Sequence, residues 1–503
     1  MNPRMLASTR LAVMTCLATT VATAILLAQS TTRVSLSSQG AEGNDVSWKS
    51  AISADGRHIG FLSSASNLVA DDTNGIEDVF VHDMDTGVTT RVNVDSQGQQ
   101  AIGWGWGWSP PVLSADGRYV AFESTADNLV AGDTNDQTDV FVHDMKTRKT
   151  TRVSVNSLGE QANDGSGFPS ISADGRYVAF HSYASNLAAG DTNDRSDVFI
   201  HDRLIGSTTL VSLNSQGEQS LNDCVNPALS ADGRWIAFET NGGDLVPGDT
   251  NGQVDVFLRS LDAGTTTRVS VTSLGEQADF NSINAVISAN GRFVAFESIA
   301  TDLVPDDTNL VWDIFVHDLE TGTTTRVSVD SSGAQADRYS ELATISADGR
   351  FIAFRSDADN LVPADTNNTH DMFVHDCKTG ETTRVSVSSS GAQANSWSGY
   401  QLSGPAISGN GRYVAFDSNA SNLVPGDTNG TIDLFVRDRN VAPCSTPAFA
   451  INYGSGWPGT RGVPELVATT EPLLCAPVEI TIGNSSGTDT TAVLFVGTSS
   501  ANY

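Results

Sequence analysis

Seven times along the chain two aspartates and an asparagine recur in the spacing Asp-x-Asn-x-x-x-Asp. They are Asp72, Asn74 and Asp78; Asp133, Asn135 and Asp139; Asp191, Asn193 and Asp197; Asp249, Asn251 and Asp255; Asp307, Asn309 and Asp313; Asp365, Asn367 and Asp371; and Asp427, Asn429 and Asp433. Hard oxygen ligands at positions 1, 3 and 7 of a loop are what Ca²⁺ loops offer, with backbone carbonyls and water completing about six to eight contacts. Against calcium, position 5 is Ile76, Gln137, Arg195, Gln253, Val311, Thr369 or Thr431, and no bidentate glutamate follows at a fixed place. The same residues also tie down loops without metal, as Asx turns that accept a backbone N–H two residues on. Both readings stay open. Either way, a feature carried by every copy belongs to the repeating unit rather than to a single active site.

The histidines follow the same logic. His82, His143, His201, His317 and His375 occupy one repeated place before an aspartate, and Arg259 and Arg437 stand there in the other two copies. A place that arginine can take is a structural one. No G-x-S-x-G or H-E-x-x-H element is present. A glycosidase carboxylate pair is a three-dimensional fact that counting cannot exclude among 59 acids. The copies differ most between one repeat and the next, where aromatics gather: Trp48, Trp104, Trp106 and Trp108 in a Gly-Trp alternation, Phe168, Phe280, Tyr339, and Trp397 with Tyr400. Indole and phenol rings combine stacking area with a polar tip, which suits sugar rings or a protein anchor. Trp104, Trp106, Trp108, Trp397 and Tyr400 are the candidate ligand-binding residues. Packing between neighbouring repeats is the competing explanation for all of these aromatics.

The element that must position these residues is the repeat itself. Asp-Gly-Arg or Asn-Gly-Arg begins at Asp55, Asp116, Asp174, Asp232, Asn290, Asp348 and Asn410, mostly 58 residues apart. Four short runs rich in Val, Phe, Tyr and Thr fill each copy, in the second at Pro111–Ser114, Tyr119–Ser124, Asp139–Asp144 and Thr150–Val155. Their alternation is that of β-strands. Asp116-Gly117 supplies the positive φ of a tight hairpin between the first two. Four antiparallel strands repeated seven times predict an all-β, seven-bladed β-propeller. The last copy lacks its fourth strand, and Thr31–Leu36 at the other end of the repeat region has that strand's sequence. The two ends therefore complete one blade and close the ring.

The stretch S-A-D-G-R-Y-V-A-F, followed by D-V-F-V-H-D and a Thr-Gly turn, resembles the TolB-like, WD40-like propeller repeats of secreted and periplasmic bacterial proteins. The resemblance covers Thr31 to Asp438 and departs from that family in its 58-residue period. It implies a propeller used as a binding or scaffolding platform. Peptidases built on such propellers carry a separate catalytic domain, which this sequence does not show.

Residues 1–28 have the layout of a secretory signal: Arg4 and Arg10, then an uncharged run from Leu11 to Ala28. Their removal leaves 26 basic residues against the 59 acidic ones, a net charge of −33. Nucleic acid is then an improbable partner, because phosphate binding needs a surplus of cations. The propeller is expected over 31–440. A small β-rich module, distantly resembling a β-sandwich, is expected over 441–503, where Cys444 and Cys475 flank one segment at disulfide-compatible spacing.

The expected function is an exported, non-enzymatic platform for a protein or glycan, secreted, periplasmic or at the cell surface, with calcium as a candidate stabiliser. A polysaccharide hydrolase or lyase and a structural envelope protein are the alternatives.

Overall fold

The computed structural model describes residues 29–103, 109–401 and 403–440, and three strands nearer the C-terminus, Leu466–Ala468, Pro477–Ile482 and Thr490–Phe495. The signal segment, Trp104, Trp106, Trp108, Cys444 and Cys475 lie outside the described residues. Among those described there is no helix, and so none long and apolar enough to cross a membrane.

Seven four-stranded antiparallel sheets form the blades, each ordered first, second, third and fourth strand. Blade 3 shows the pattern with Ser166–Ile171, Tyr177–Ser182, Asp197–Asp202 and Ser207–Leu210. First strands of successive blades approach one another around the axis, so they are innermost. Blade 7 takes its fourth strand from the N-terminus: Ser30–Arg33 pairs with the third strand, placing Ser30 opposite Asp438 and Arg33 opposite Phe435. The three C-terminal strands make a separate antiparallel sheet.

The second and third strands form the core because their centres are apolar on both faces. A phenylalanine on each makes a ring pair in every blade, with Phe61 and Phe80 at 5.7 Å and Phe238 and Phe257 at 6.1 Å as the extremes. Seven apolar clusters then fill the seven boundaries between adjacent blades.

In blade 2 the first and fourth strands are shorter than the sequence pattern implies, at Val112–Leu113 and Lys149–Arg152. The fourth ends early because Ser154 turns its hydroxyl to Asp139 and Val155 pairs with Gln161 across a small loop.

The Asp-Gly-Arg hairpin locks each blade to its neighbour. Gly175 has φ +71°, and a Cβ there would stand 2.1 Å from the Tyr119 ring of the preceding blade. Six further pairs repeat this contact, including Gly56 on Tyr413 where the ring closes. The arginine of the same motif forks onto the aspartate that ends the third strand, as Arg118 does on Asp144. Six blades carry that pair, with N···O distances of 2.6–3.0 Å. The Arg292 guanidinium holds the Asp318 carboxyl down to about 2.

Candidate functional site

The aspartate–asparagine loops lie on the face shared with the inter-blade connections, called here the loop face; the hairpin turns lie on the opposite, turn face. In six of the loops the charge between the carboxylates is an arginine of the fourth strand. Arg91, Arg152, Arg268, Arg326, Arg384 and Arg33 each place Nη1 within 2.9–3.8 Å of the first and third acids of their own blade. In all seven loops the asparagine Oδ1 accepts the N–H two residues on, as Asn193 does from Arg195 at 2.9 Å. The third acid is buried and takes a further hydrogen bond from the fourth-strand tail, for example Ser212 Oγ on Asp197 at 2.5 Å.

Blade 3 is the exception, because Leu210 stands where the arginine would be. There Gln219 Nε2 bridges Asp191 and Asp197 at 2.8 Å each. Burial is the largest influence on Asp197 and pushes its carboxyl up to about 6. Among the described residues no group of three or more His, Cys, Asp or Glu side chains is arranged to hold a metal ion.

The repeated histidines each pair Nδ1 with a fourth-strand threonine hydroxyl at 2.9 Å. That hydroxyl donates its only hydrogen to a carbonyl of the preceding inter-blade loop, as Thr324 does to Val271. The imidazole must therefore donate from Nδ1. Arginine can donate in the same way, and Arg259 and Arg437 bond Thr266 and Thr31 at 3.0 and 3.1 Å. Burial lowers all five histidines, His201 to about 4.

The loop-face aromatics divide. Phe168 stacks on His181 at 5.0 Å, whereas Phe280 and Tyr339 are 48% and 49% exposed. Trp397 and Tyr400, on the connection into blade 7, meet Trp48, which opens blade 1. Tyr400 lies 5.6 Å from Trp397 in a stacked pair and 5.3 Å from Trp48 edge to face. All three rings are half-buried. The Trp48 indole N–H donates to Glu77, and the Lys49 ammonium sits 4.5 Å over the Trp48 ring. Glu77 and Glu123 are the carboxylates that act on Lys49, whose burial lowers its pKa. Burial raises Glu77.

A second constellation escaped the sequence reading. One second-strand position varies between blades, with glutamate in three of the seven: Leu62, Glu123, His181, Glu239, Glu297, Arg355 and Asp417. Opposite it, five first strands bulge at a non-glycine residue with φ of 52–57°: Lys49, Phe168, Asn226, Asn284 and Leu342. At Phe168, Asn226, Asn284 and Leu342 the second-strand side chain of the preceding blade reaches across the boundary and accepts that residue's N–H, whereas Lys49 donates its N–H to Ser403 Oγ. Glu123 accepts from Phe168 at 2.9 Å, Glu239 from Asn284 at 2.7 Å and Glu297 from Leu342 at 2.6 Å. Asn284 also donates to Glu297 at 3.0 Å. Burial raises Glu239 to about 7, Glu297 to about 8 and Asp417 to about 6. The sequence signal was available: a single changing letter inside an otherwise repeated Phe-x-Ser/Thr.

Fold and repeat together define an all-β, seven-bladed propeller. Compared with protein-family profiles and with curated proteins, the sequence finds no match. Solved structures of low identity do match. TolB from Acinetobacter baumannii is 15% identical with a TM-score of 0.37, over 72% of this chain and 76% of its own. An oligogalacturonate lyase in complex with manganese is 14% identical with a TM-score of 0.49, over 81% and 92%. The propeller domain of the Trilobed protease from Pyrococcus furiosus is 11% identical with a TM-score of 0.47, over 81% and 98%.

Proposed function

We propose that the protein is an exported, non-enzymatic binding propeller that holds a glycan at the loop-face mouth where blade 7 meets blade 1. The observation that carries this reading is the mutual contact of Trp48, Trp397 and Tyr400. Trp397 and Tyr400 lie on the connection into blade 7 and Trp48 on the first strand of blade 1; all three keep part of their ring surface open, and Lys49 and Glu77 border Trp48. Aromatic faces beside a few convergent polar groups stack on sugar rings and read their hydroxyls. Trp104, Trp106 and Trp108 come in the next connection along the sequence and are further candidates for the same role. A protein loop would use the same anchors. Export rests on residues 1–28.

Calcium enters this reading only at blade 3, where no arginine stands between the acids. A glycan array followed by titration tests the proposal. Trp397→Ala and Tyr400→Ala should each weaken binding by more than about 1 kcal/mol. Unchanged affinity in both variants sinks the site.

A polysaccharide hydrolase or lyase is the second reading, favoured by Glu297. Its raised pKa keeps the carboxyl protonated at neutral pH, as a general acid must be. Release of reducing sugar that disappears in Glu297→Gln would replace the first reading with this one.

A further inference from the structure

At four blade boundaries the residue after the third strand is apolar and packs into the neighbouring core: Met84, Met145, Leu261 and Leu319. Blade 3 has Arg203 instead. Its guanidinium stacks at 4.5 Å over Tyr119 of blade 2, and a cleft of about 340 Å³ opens beside it on the turn face. Across that cleft stands Lys149, the first residue of the fourth strand of blade 2.

The boundary between blades 6 and 7 makes the contrast. There Arg439 also replaces the apolar residue; burial lowers its pKa to about 10, and Asp376 and then Glu381, which holds the strand position matching Lys149, act against that fall. Arg203 faces an amine where Arg439 faces an acid. The other charged groups of the cleft are committed elsewhere. Asp144 is held by both nitrogens of the Arg118 fork at 2.7 and 3.0 Å, and Arg152 is paired with Asp133 and Asp139.

Among the described residues neither Lys149 nor Arg203 forms an ion pair, and the nearby turn residues Lys146 and Arg148 are exposed and also without one. Lys146 and Lys149 are two of only four lysines in a chain of net charge −31. Two like charges held across a polar cleft call for an anion between them.

We propose that this cleft is a binding site for an anionic sugar, one bearing a carboxylate, sulfate or phosphate. Lys149 and Arg203 take the charged group, and hydroxyl and imidazole groups such as those of Thr151 and His201 line the space for the sugar's own hydroxyls. The site lies on the face opposite the aromatic cluster and is independent of it.

Calorimetric titration at physiological ionic strength tests it, with alginate oligomers, dextran sulfate oligomers and sugar phosphates against neutral dextran of matched length. At least one anionic probe should bind, and dextran should not bind to this cleft. Arg203→Met and Lys149→Glu should each weaken that binding at least tenfold. Met84 and Met145 already fill the matching place, so Arg203→Met should keep the wild-type melting temperature. Trp397→Ala should leave anionic binding unchanged, which separates the two sites. Failure of every anionic sugar, binding of inorganic sulfate or phosphate alone, or unaltered affinity in both cleft variants would overturn the proposal.

Discussion

At the scale of single residues, the acidic loops show how a charge cluster is resolved inside a fold. Two carboxylates six residues apart on one loop would repel, and in six blades the fourth-strand arginine removes the problem from within the same blade. Arg152→Leu copies what blade 3 does naturally, but with Gln161, the counterpart of Gln219, turned to Thr134 instead of to the acids. Asp139 is fully buried, so the loss should cost about 3–5 kcal/mol in chemical denaturation. Adding Asp133→Asn should recover part of it, and a cost below about 1 kcal/mol would show that the arginine is not the counter-charge. This pairing was legible in part. The triplets were visible at once, and so was the Asx turn that their asparagines make. The arginine of Thr-Arg-Val-Ser-Val was not legible as its partner, because strand alternation reports which face a residue takes and not which loop curls back over that face. Leu210, the single departure from arginine in seven copies of that position, is the signal that could have revealed it.

At the scale of elements, the strand Ser30–Arg33 carries more than its length implies. Beyond its backbone ladder, Arg33 and Ser35 satisfy the buried Asp433, and Val34 is fully buried in the boundary with blade 1. Removing residues 29–36 leaves blade 7 with a bare edge and an uncompensated carboxylate. The truncated chain should elute as oligomers in size-exclusion chromatography, and a peptide of those residues added in trans should restore the monomer. A monomeric, fully folded truncation would contradict this role for the strand. Ring closure was readable from sequence because a missing strand and its displaced copy are both countable. The bulges at Lys49, Phe168, Asn226, Asn284 and Leu342 were not, since none is glycine and their left-handed φ is imposed by acceptors in the preceding blade.

At the scale of the whole molecule, two populations of carboxylates pull stability in opposite directions with pH. Glu239, Glu297 and Asp417 have raised pKa values, so the native state keeps protons that the unfolded chain has released above about pH 4. Their contribution is present below that point and is lost as pH rises toward 8. Asp83, Asp144 and Asp318, held down by arginines, contribute above about pH 4 and lose that contribution in acid. The melting temperature should therefore peak in mild acid and fall between pH 5 and pH 8, and Glu297→Gln should flatten that fall. An identical slope in the variant would remove Glu297 from the account.

The closure of blade 7 also sets an order of events in time. The strand that emerges first from the ribosome or the export channel waits for the one about 400 residues later that completes its sheet. Closing a loop of that length costs about 5 kcal/mol of chain entropy, and the return comes only when the last blade is present. The ring thus cannot finish before the last blade has been made, so every shorter length of the chain stays open.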